Sequence, residues 1–168
     1  IDLVQVIPGK EYGVMHRQNR SENEVVVVVK PWSDEKKPVL KEQYRKAIED
    51  YIEPYRLINT KVTVESARYA GICVHGKIAL EQDSPKTRKA VLERISRELS
   101  YTERKHPFGT VISYGQLFTA LENTEGVKKV LELNLERTGN AARKNDRGDV
   151  LLDADALGIL EGTDLEFC

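Results

Sequence analysis

Hydrophobic residues recur along this chain with the two periods that are typical of strands and helices. Alternating or continuous runs of β-branched and aliphatic residues predict strands at residues 3–7, 24–30, 60–65, 69–81, 111–112 and 127–136, with a last strand around 165–167. The second strand contains five consecutive valines, Val25–Val29. Because a run without polar positions leaves no face for water, we expect this strand to be buried on both faces.

Apolar residues spaced three and four apart predict three helices. The first spans 39–53, and its apolar stripe consists of Leu40, Tyr44, Ala47, Ile48, Tyr51 and Ile52. Of these, Leu40, Tyr44, Ile48 and Tyr51 are expected to pack on the sheet that carries Val25–Val29. The second helix follows the cap residue Ser84, and its stripe consists of Val91, Ile95 and Leu99. The third follows Ser113, which forms a capping box with Gln116.

The segments between these elements are polar or rich in turn-forming residues. Pro8-Gly9 predicts a turn, and residues 10–23 predict an exposed loop. Residues 137–149 contain no apolar run, which predicts a mobile loop. An acidic segment follows this loop and ends the chain.

The order of the predicted elements favours an α+β fold, with mixed or antiparallel sheets and helices packed on one face. It predicts two ferredoxin-like lobes, ββαβ in the first and βαβ in the second. We therefore expect a first lobe at 1–66 and a second at 67–136. The remainder, 137–168, is expected to be the mobile loop and an acidic tail with a terminal strand.

Composition narrows the class of protein without identifying it. The chain has 168 residues, of which 40% are hydrophobic and 32% charged, and this balance is typical of a folded domain with a charged surface. The net charge of -1 provides no field for nucleic acid or an anionic membrane, and the longest apolar run, Val25–Val29, is too short to span one. The first residue, Ile1, suggests a domain excised from a longer protein.

Residues that could carry chemistry are few. Cys73 and Cys168 are expected to be free thiols, and no histidine has a second ligand at metal spacing. Cys73 and His75 share one face of a predicted strand, turned away from Ile72 and Val74, but no orienting carboxylate is near them in sequence. We therefore expect no enzyme activity, no cofactor, and no catalytic or metal-binding residues.

Charge is segregated along the chain. Residues 86–105 have a net charge of +4, and residues 146–168 have a net charge of -6. Such segments can pair within one molecule or between neighbours. We expect the basic helix or the acidic tail to contact another subunit, where charge guides encounter and register more than it adds affinity.

Three segments together resemble one protein family. They are residues 51–64, which read YIEPYRLINTKVTV; Arg68-Tyr69 with the strand and helix that follow; and residues 107–114, PFGTVISY, followed by a short helix and GVKKVLEL at 126–133. In this order they resemble the baseplate J-like proteins, the baseplate assembly or wedge proteins of contractile phage tails and related injection systems. The resemblance covers roughly residues 1–136.

The resemblance implies a structural, non-enzymatic role. Such a domain would assemble in the bacterial cytoplasm and reside in the baseplate of a phage or phage-like particle. Its partners would be other wedge subunits, copies of itself, and sheath or spike proteins, with no nucleic acid and no membrane. The candidate interface residues are Trp32, Arg56, Tyr69, Arg94, Arg97 and Phe108.

A second function remains open on the sequence alone. The chain could be a small-molecule-binding or regulatory module built on a ferredoxin-like sheet. A deep apolar pocket with a few converging polar groups would favour that alternative.

Overall fold

The computed structural model describes residues 1–102, 104 and 106–168. It divides the chain into two compact units, Ile1–Arg68 and Tyr69–Cys168. Over the described residues it contains four α-helices and nine strands, arranged in three sheets of three strands each. The predicted α+β fold class is therefore confirmed. The ferredoxin-like arrangement of each lobe remains a prediction.

The first unit is one sheet with two helices. Its elements are β1 (Leu3–Pro8), α1 (Gly9–His16), β2 (Glu24–Lys30), α2 (Glu42–Ile52), a 3-10 turn (Glu53–Tyr55) and β3 (Lys61–Ser66). The strand order is β1-β2-β3, with β1 antiparallel and β3 parallel to β2. A parallel pair requires a crossover connection, and α2 provides it.

The core of the first unit lies between α2 and the sheet. Ile48 and Ile52 of α2 pack against a cluster of valines and one leucine: Val27, Val29, Val64 and Leu40. The prediction that this stripe packs on the sheet is right for Leu40 and Ile48 and wrong for the two tyrosines. Tyr44 is 56% exposed, Tyr51 is 73% exposed, and Ala47 is exposed as well. The stripe is wider than the contact, so only its Ile48 and Ile52 side reaches the sheet.

Residues 10–23 are not entirely a loop, because α1 occupies Gly9–His16. This helix has no apolar stripe; its buried residues are Gly9, Tyr12 and Gly13. It is held by the stacking of Tyr12 on His16, whose ring centroids are 4.2 Å apart. Hydrophobic spacing could not predict a helix that is fixed by glycines and one aromatic pair.

The second unit contains two sheets and two helices. Its elements are β4 (Arg68–Leu80, whose first residue belongs to the first unit), α3 (Pro85–Leu99), β5 (Val111–Ile112), α4 (Tyr114–Glu122), β6 (Val127–Thr138), β7 (Ala142–Lys144), β8 (Val150–Leu152) and β9 (Ala156–Phe167). The strand orders are β6-β4-β9 and β5-β8-β7. β6 is antiparallel to β4. Cys168, which follows β9, donates to Ile78 O and accepts from Leu80 N, as in a parallel pair.

The main core lies between the helices and the sheets of the second unit. Each helix contributes a fully buried stripe, and β4 contributes alternate residues; these are Val91, Ile95, Leu99, Leu117, Leu121, Ile72, Val74 and Ile78. Both predicted caps are present, since Ser84 Oγ accepts from Thr87 N and Ser113 Oγ accepts from Gln116 N. Within the described residues, no helix is both long enough and apolar enough to cross a membrane.

Several predictions for the second unit are wrong: β8 was not predicted, and the last strand begins at Ala156 and not near 165. Residues 137–149 include β7, which pairs with β8, and Ala141 and Ala142 are buried there. Two alanines bury a strand without producing the apolar run that hydrophobic patterning detects. The basic helix ends at Leu99, before the predicted limit of 105, and its predicted residues Glu103 and Lys105 lie outside the described residues.

Candidate assembly surfaces

The candidate interface residues fall in both units. In the first, Trp32 is exposed just after β2. Arg56 follows the 3-10 turn, where its guanidinium donates to Glu53 Oε1 at 2.7 Å and to Thr60 O at 3.2 Å. These bonds fix Arg56 within its own loop.

In the second unit, Arg94 and Arg97 lie on α3, Tyr69 lies on β4, and Phe108 is half-buried in the turn before β5. Arg94 is ion-paired with Glu98 at 3.0 Å. Only Arg94 and Arg97 are therefore neighbours on one element. The assignment of all six residues to an interface remains a prediction.

The outer face of the sheet β6-β4-β9 carries many carboxylates. Along β4, Cys73, His75 and Lys77 alternate with the buried residues, as predicted for Cys73 and His75. Neighbouring strands contribute the carboxylates of Glu132, Glu136, Glu161, Asp164 and Glu166. We call these eight residues the acidic face.

His75 lies between two of these carboxylates. Its Nε2 is 3.5 Å from Glu136 Oε2, and its Nδ1 is 3.6 Å from Asp164 Oδ2. Strand register and not sequence spacing brings Glu136 and Asp164 to His75, so these contacts could not be predicted from the sequence. The imidazole is partly exposed, so these contacts resemble solvated ion pairs. Among the described residues, no group of three or more possible ligands is placed to hold a metal ion.

A glycine shapes one end of the acidic face. Thr138 Oγ1 donates to Glu161 across β4, directly over Gly71. A Cβ at Gly71 would lie 2.1 Å from Thr138 Oγ1 and 2.2 Å from Glu161 Oε2. Thr138 of β6 and Glu161 of β9 can therefore bond to each other only because Gly71, on β4 between them, has no side chain.

The basic character of α3 is reduced by ion pairs. Arg88 donates from Nε and Nη2 to the two carboxylate oxygens of Asp83, at 2.6 and 2.5 Å. These hydrogen bonds lower the pKa of Asp83. Lys89 pairs with Glu93 at 3.6 Å. Because α3 packs on the buried face of β4, its charged side lies across the sheet from the acidic face. The opposite charges therefore occupy opposite sides of the second unit.

The acidic tail is partly an internal structure. Asp155 is fully buried, and Asp149 accepts from Tyr114 N at 2.9 Å and from Asn145 Nδ2 at 3.0 Å. The bond from Asn145, followed by that from Tyr114 N at the start of α4, lowers the pKa of Asp149. The prediction of a mobile loop at 137–149 is thus wrong for Asp149, and Asp155 is buried within the predicted acidic tail.

The fold is an α+β fold of two compact units, and it was compared with the folds and sequences of known proteins. No protein-family model and no curated protein sequence matches the chain. Among solved structures, the chain is similar to one described as "Cryo-EM structure of the anti-feeding prophage (AFP) baseplate, 6-fold symmetrised". The TM-score is 0.60 at 14% identity, over 84% of this chain and 29% of that chain. The similarity shows a shared fold, and this chain spans less than a third of the baseplate chain.

Proposed function

We propose that this chain is a structural assembly domain of a baseplate wedge in a phage-like contractile tail or injection system. The observation that carries the proposal is the fold shared with a prophage baseplate chain over 84% of the length. The sequence resemblance to baseplate J-like proteins, through the three segments named above, independently favours the same class. We propose further that the domain belongs to a longer protein of this family.

The surface chemistry supports a role in assembly. The acidic face and the charged side of α3 lie on opposite sides of one unit, which suits head-to-tail contacts between unlike faces of neighbouring subunits. His75 is partly exposed, and the carboxylates of Glu136 and Asp164 beside it are exposed. We propose no catalytic role for them, because exposed pairs of this kind lack the desolvation that tunes a catalytic group.

The proposed partners are other baseplate or wedge subunits, further copies of this chain, and sheath or spike proteins. Arg94 and Arg97 are the candidate contacts that lie together, and they lie on the charged side of α3. Assembly would take place in the bacterial cytoplasm, and the finished protein would reside in the particle baseplate.

An in-frame deletion of residues 1–168 in a bacterium that produces the particles tests the proposal. We expect negative-stain electron microscopy to show loss of complete sheathed tails, and complementation with the complete wild-type gene to restore them. Complete tails in normal number after the deletion would contradict a structural role.

The interface assignment has its own test in the same complementation assay. Arg94→Glu with Arg97→Glu should reduce the number of complete particles, because both reverse charge on the proposed contact surface. Lys41→Glu with Lys46→Glu is the matched control: it reverses two charges on exposed positions of the first unit. Equal particle numbers for both double variants would reject the α3 surface as a contact.

A further inference from the structure

The two edges of the sheet in the first unit differ in what covers them. At the β3 edge, Glu49 of α2 accepts from Val64 N at 3.0 Å, and Ser66 Oγ accepts from Leu40 N at 3.0 Å. Glu49 of α2 thus occupies one outward N–H group of β3, and the segment before the helix is bonded to the same edge through Ser66. At the other edge, β1 pairs with β2 on one side. Over the described residues, no strand pairs with its other side.

The hydrogen-bond register identifies which groups of β1 are open. Val29 O accepts from Ala67 N at 3.0 Å, and Asn23 O accepts from Lys61 N at 2.8 Å, so the odd-numbered residues of β2 bond to β3. Because backbone groups alternate in direction along a strand, the even-numbered residues of β2 bond to β1. Their partners on β1 are Leu3, Gln5 and Ile7. The N–H and C=O groups of Val4 and Val6 therefore point away from the sheet.

The side chains at the same two positions are also exposed. Val4 is 48% exposed and Val6 is 58% exposed. Their cross-strand partners are Val29 and Val27, so both face the side of the sheet on which α2 packs. An open backbone edge and an apolar stripe therefore coincide on β1.

Two exposed tyrosines extend this apolar surface. At about 100° per residue, Tyr44 and Tyr51 lie on the flank of α2 opposite Glu49, with Ile48 between them and the β3 edge. The flank turned away from β3 is the one turned toward β1. Tyrosine is enriched at protein interfaces because it combines a large apolar ring with a polar group.

The first five residues of β1, Leu3–Ile7, include none of the residue types that normally protect an edge strand. Charged residues, especially lysine, discourage pairing at such edges, but Leu3–Ile7 contains no charged residue. The only protective feature is Pro8, which ends the strand. Two copies of this edge can therefore meet without repulsion between like charges.

We propose that β1 is the docking site for β1 of a second copy of this chain. The order valine, glutamine, valine at positions 4–6 reads the same in both directions. An antiparallel pair centred on Gln5 therefore sets Val4 of one copy opposite Val6 of the other, in the geometry that uses the open backbone groups of both residues. The two sheets become one sheet of six strands, with the valines of both copies forming a central stripe between their α2 helices.

This contact is symmetric, since the same strand is used by both copies, and it is independent of the proposed baseplate role. It also differs in kind from the charged contacts proposed above. Main-chain hydrogen bonds and apolar side chains hold it, so salt should have little effect on it.

Sedimentation velocity over a wide range of protein concentration tests the proposal on the 168-residue chain. We expect a monomer–dimer equilibrium that is unchanged between low and high salt. Val6→Pro removes the outward N–H and leaves the β1–β2 bonds intact, since proline is tolerated on an edge strand. Val6→Lys places a charge in the same stripe. Each variant should raise the dimer dissociation constant about tenfold or more.

Val14→Lys is the matched control, because Val14 is 77% exposed on α1. It should leave the dissociation constant unchanged, and circular dichroism should give the same spectrum for all four proteins. A wild-type chain that stays monomeric at the highest concentration overturns the proposal. So does a dimer that salt dissolves, or one that Val14→Lys weakens as much as Val6→Lys does.

Discussion

α2 of the first unit and α3 of the second have similar amphipathic patterns and different burial. The three apolar residues of the α3 stripe, Val91, Ile95 and Leu99, are at most 2% exposed. α2 has no buried residue, and its aromatic residues face solvent. The difference shows that 3.6-residue periodicity predicts the helix but not the extent of its contact.

The cause is the number of layers around each helix. α3 packs in a core to which α4 and both sheets of the second unit also contribute. α2 packs against one three-stranded sheet, and it lies toward the β3 edge, where Glu49 bonds Val64 N. One side of its stripe therefore extends beyond the contact.

The largest change in stability is expected for Ile95→Ala in α3. Ile95 is fully buried, and the substitution should lower the free energy of unfolding by about 2–5 kcal/mol, because it removes apolar contacts and leaves a cavity. Urea denaturation measures the change. A loss smaller than that for Ile48→Ala would reverse the ranking of the two helices.

Ile48→Ala in α2 should cost less, about 1–2 kcal/mol, because the side chain is only half-buried and water can fill part of the space. Native-state hydrogen exchange at the amides of α2 should locate the effect in the first unit. Equal destabilisation by Ile48→Ala and Ile95→Ala would mean that the sheet protects α2 more fully than its exposure indicates.

The two helices also differ in how their N-termini are capped, which has a smaller expected effect on stability. Ser84 Oγ accepts from Thr87 N at 3.2 Å, whereas the residue at the corresponding position of α2, Lys41, makes no capping bond. Ser84→Ala should cost about 1 kcal/mol. Lys41→Ala is the control and should not lower stability in the same urea experiment.

Tyr51→Gln should have the smallest effect, within about 0.5 kcal/mol of the wild type, because the side chain is 73% exposed. Thermal unfolding followed by circular dichroism is sufficient to measure it. A loss comparable to that for Ile48→Ala would show that Tyr51 is packed and that the stripe prediction was correct after all.

Sequence patterning predicted most of the regular elements in this fold. β2 was placed at 24–30 and observed at Glu24–Lys30, and the capped starts of α3 and α4 were both confirmed. Two of the exceptions, α1 and β7, have a common physical origin, whereas β8 and the first part of β9 were not predicted although they contain apolar runs. α1 and β7 are held by glycine, alanine and aromatic contacts, which produce no apolar period.

The surfaces were less predictable than the fold. Nothing in the spacing of His75, Glu136 and Asp164 indicates that they meet, since three strands and their register bring them together. The open edge of β1 could not be predicted either, because the sequence of a strand does not indicate how many other strands pair with it. The exposure of Tyr44 and Tyr51 depended on where α2 sits over the sheet, which is a tertiary property.

The bond between Asp149 and the start of α4 links this helix to proton binding. Because the pKa of Asp149 is lowered in the folded chain from its ordinary value of 3.8, the native state binds this proton less readily than the unfolded state does. Its contribution to stability is complete above the ordinary value and is lost as pH falls through the lower, folded value. Asp149→Asn should therefore reduce the difference in melting temperature between neutral and strongly acidic buffer. The 145–149 turn that holds the N-terminus of α4 is therefore one place where strong acid weakens the fold.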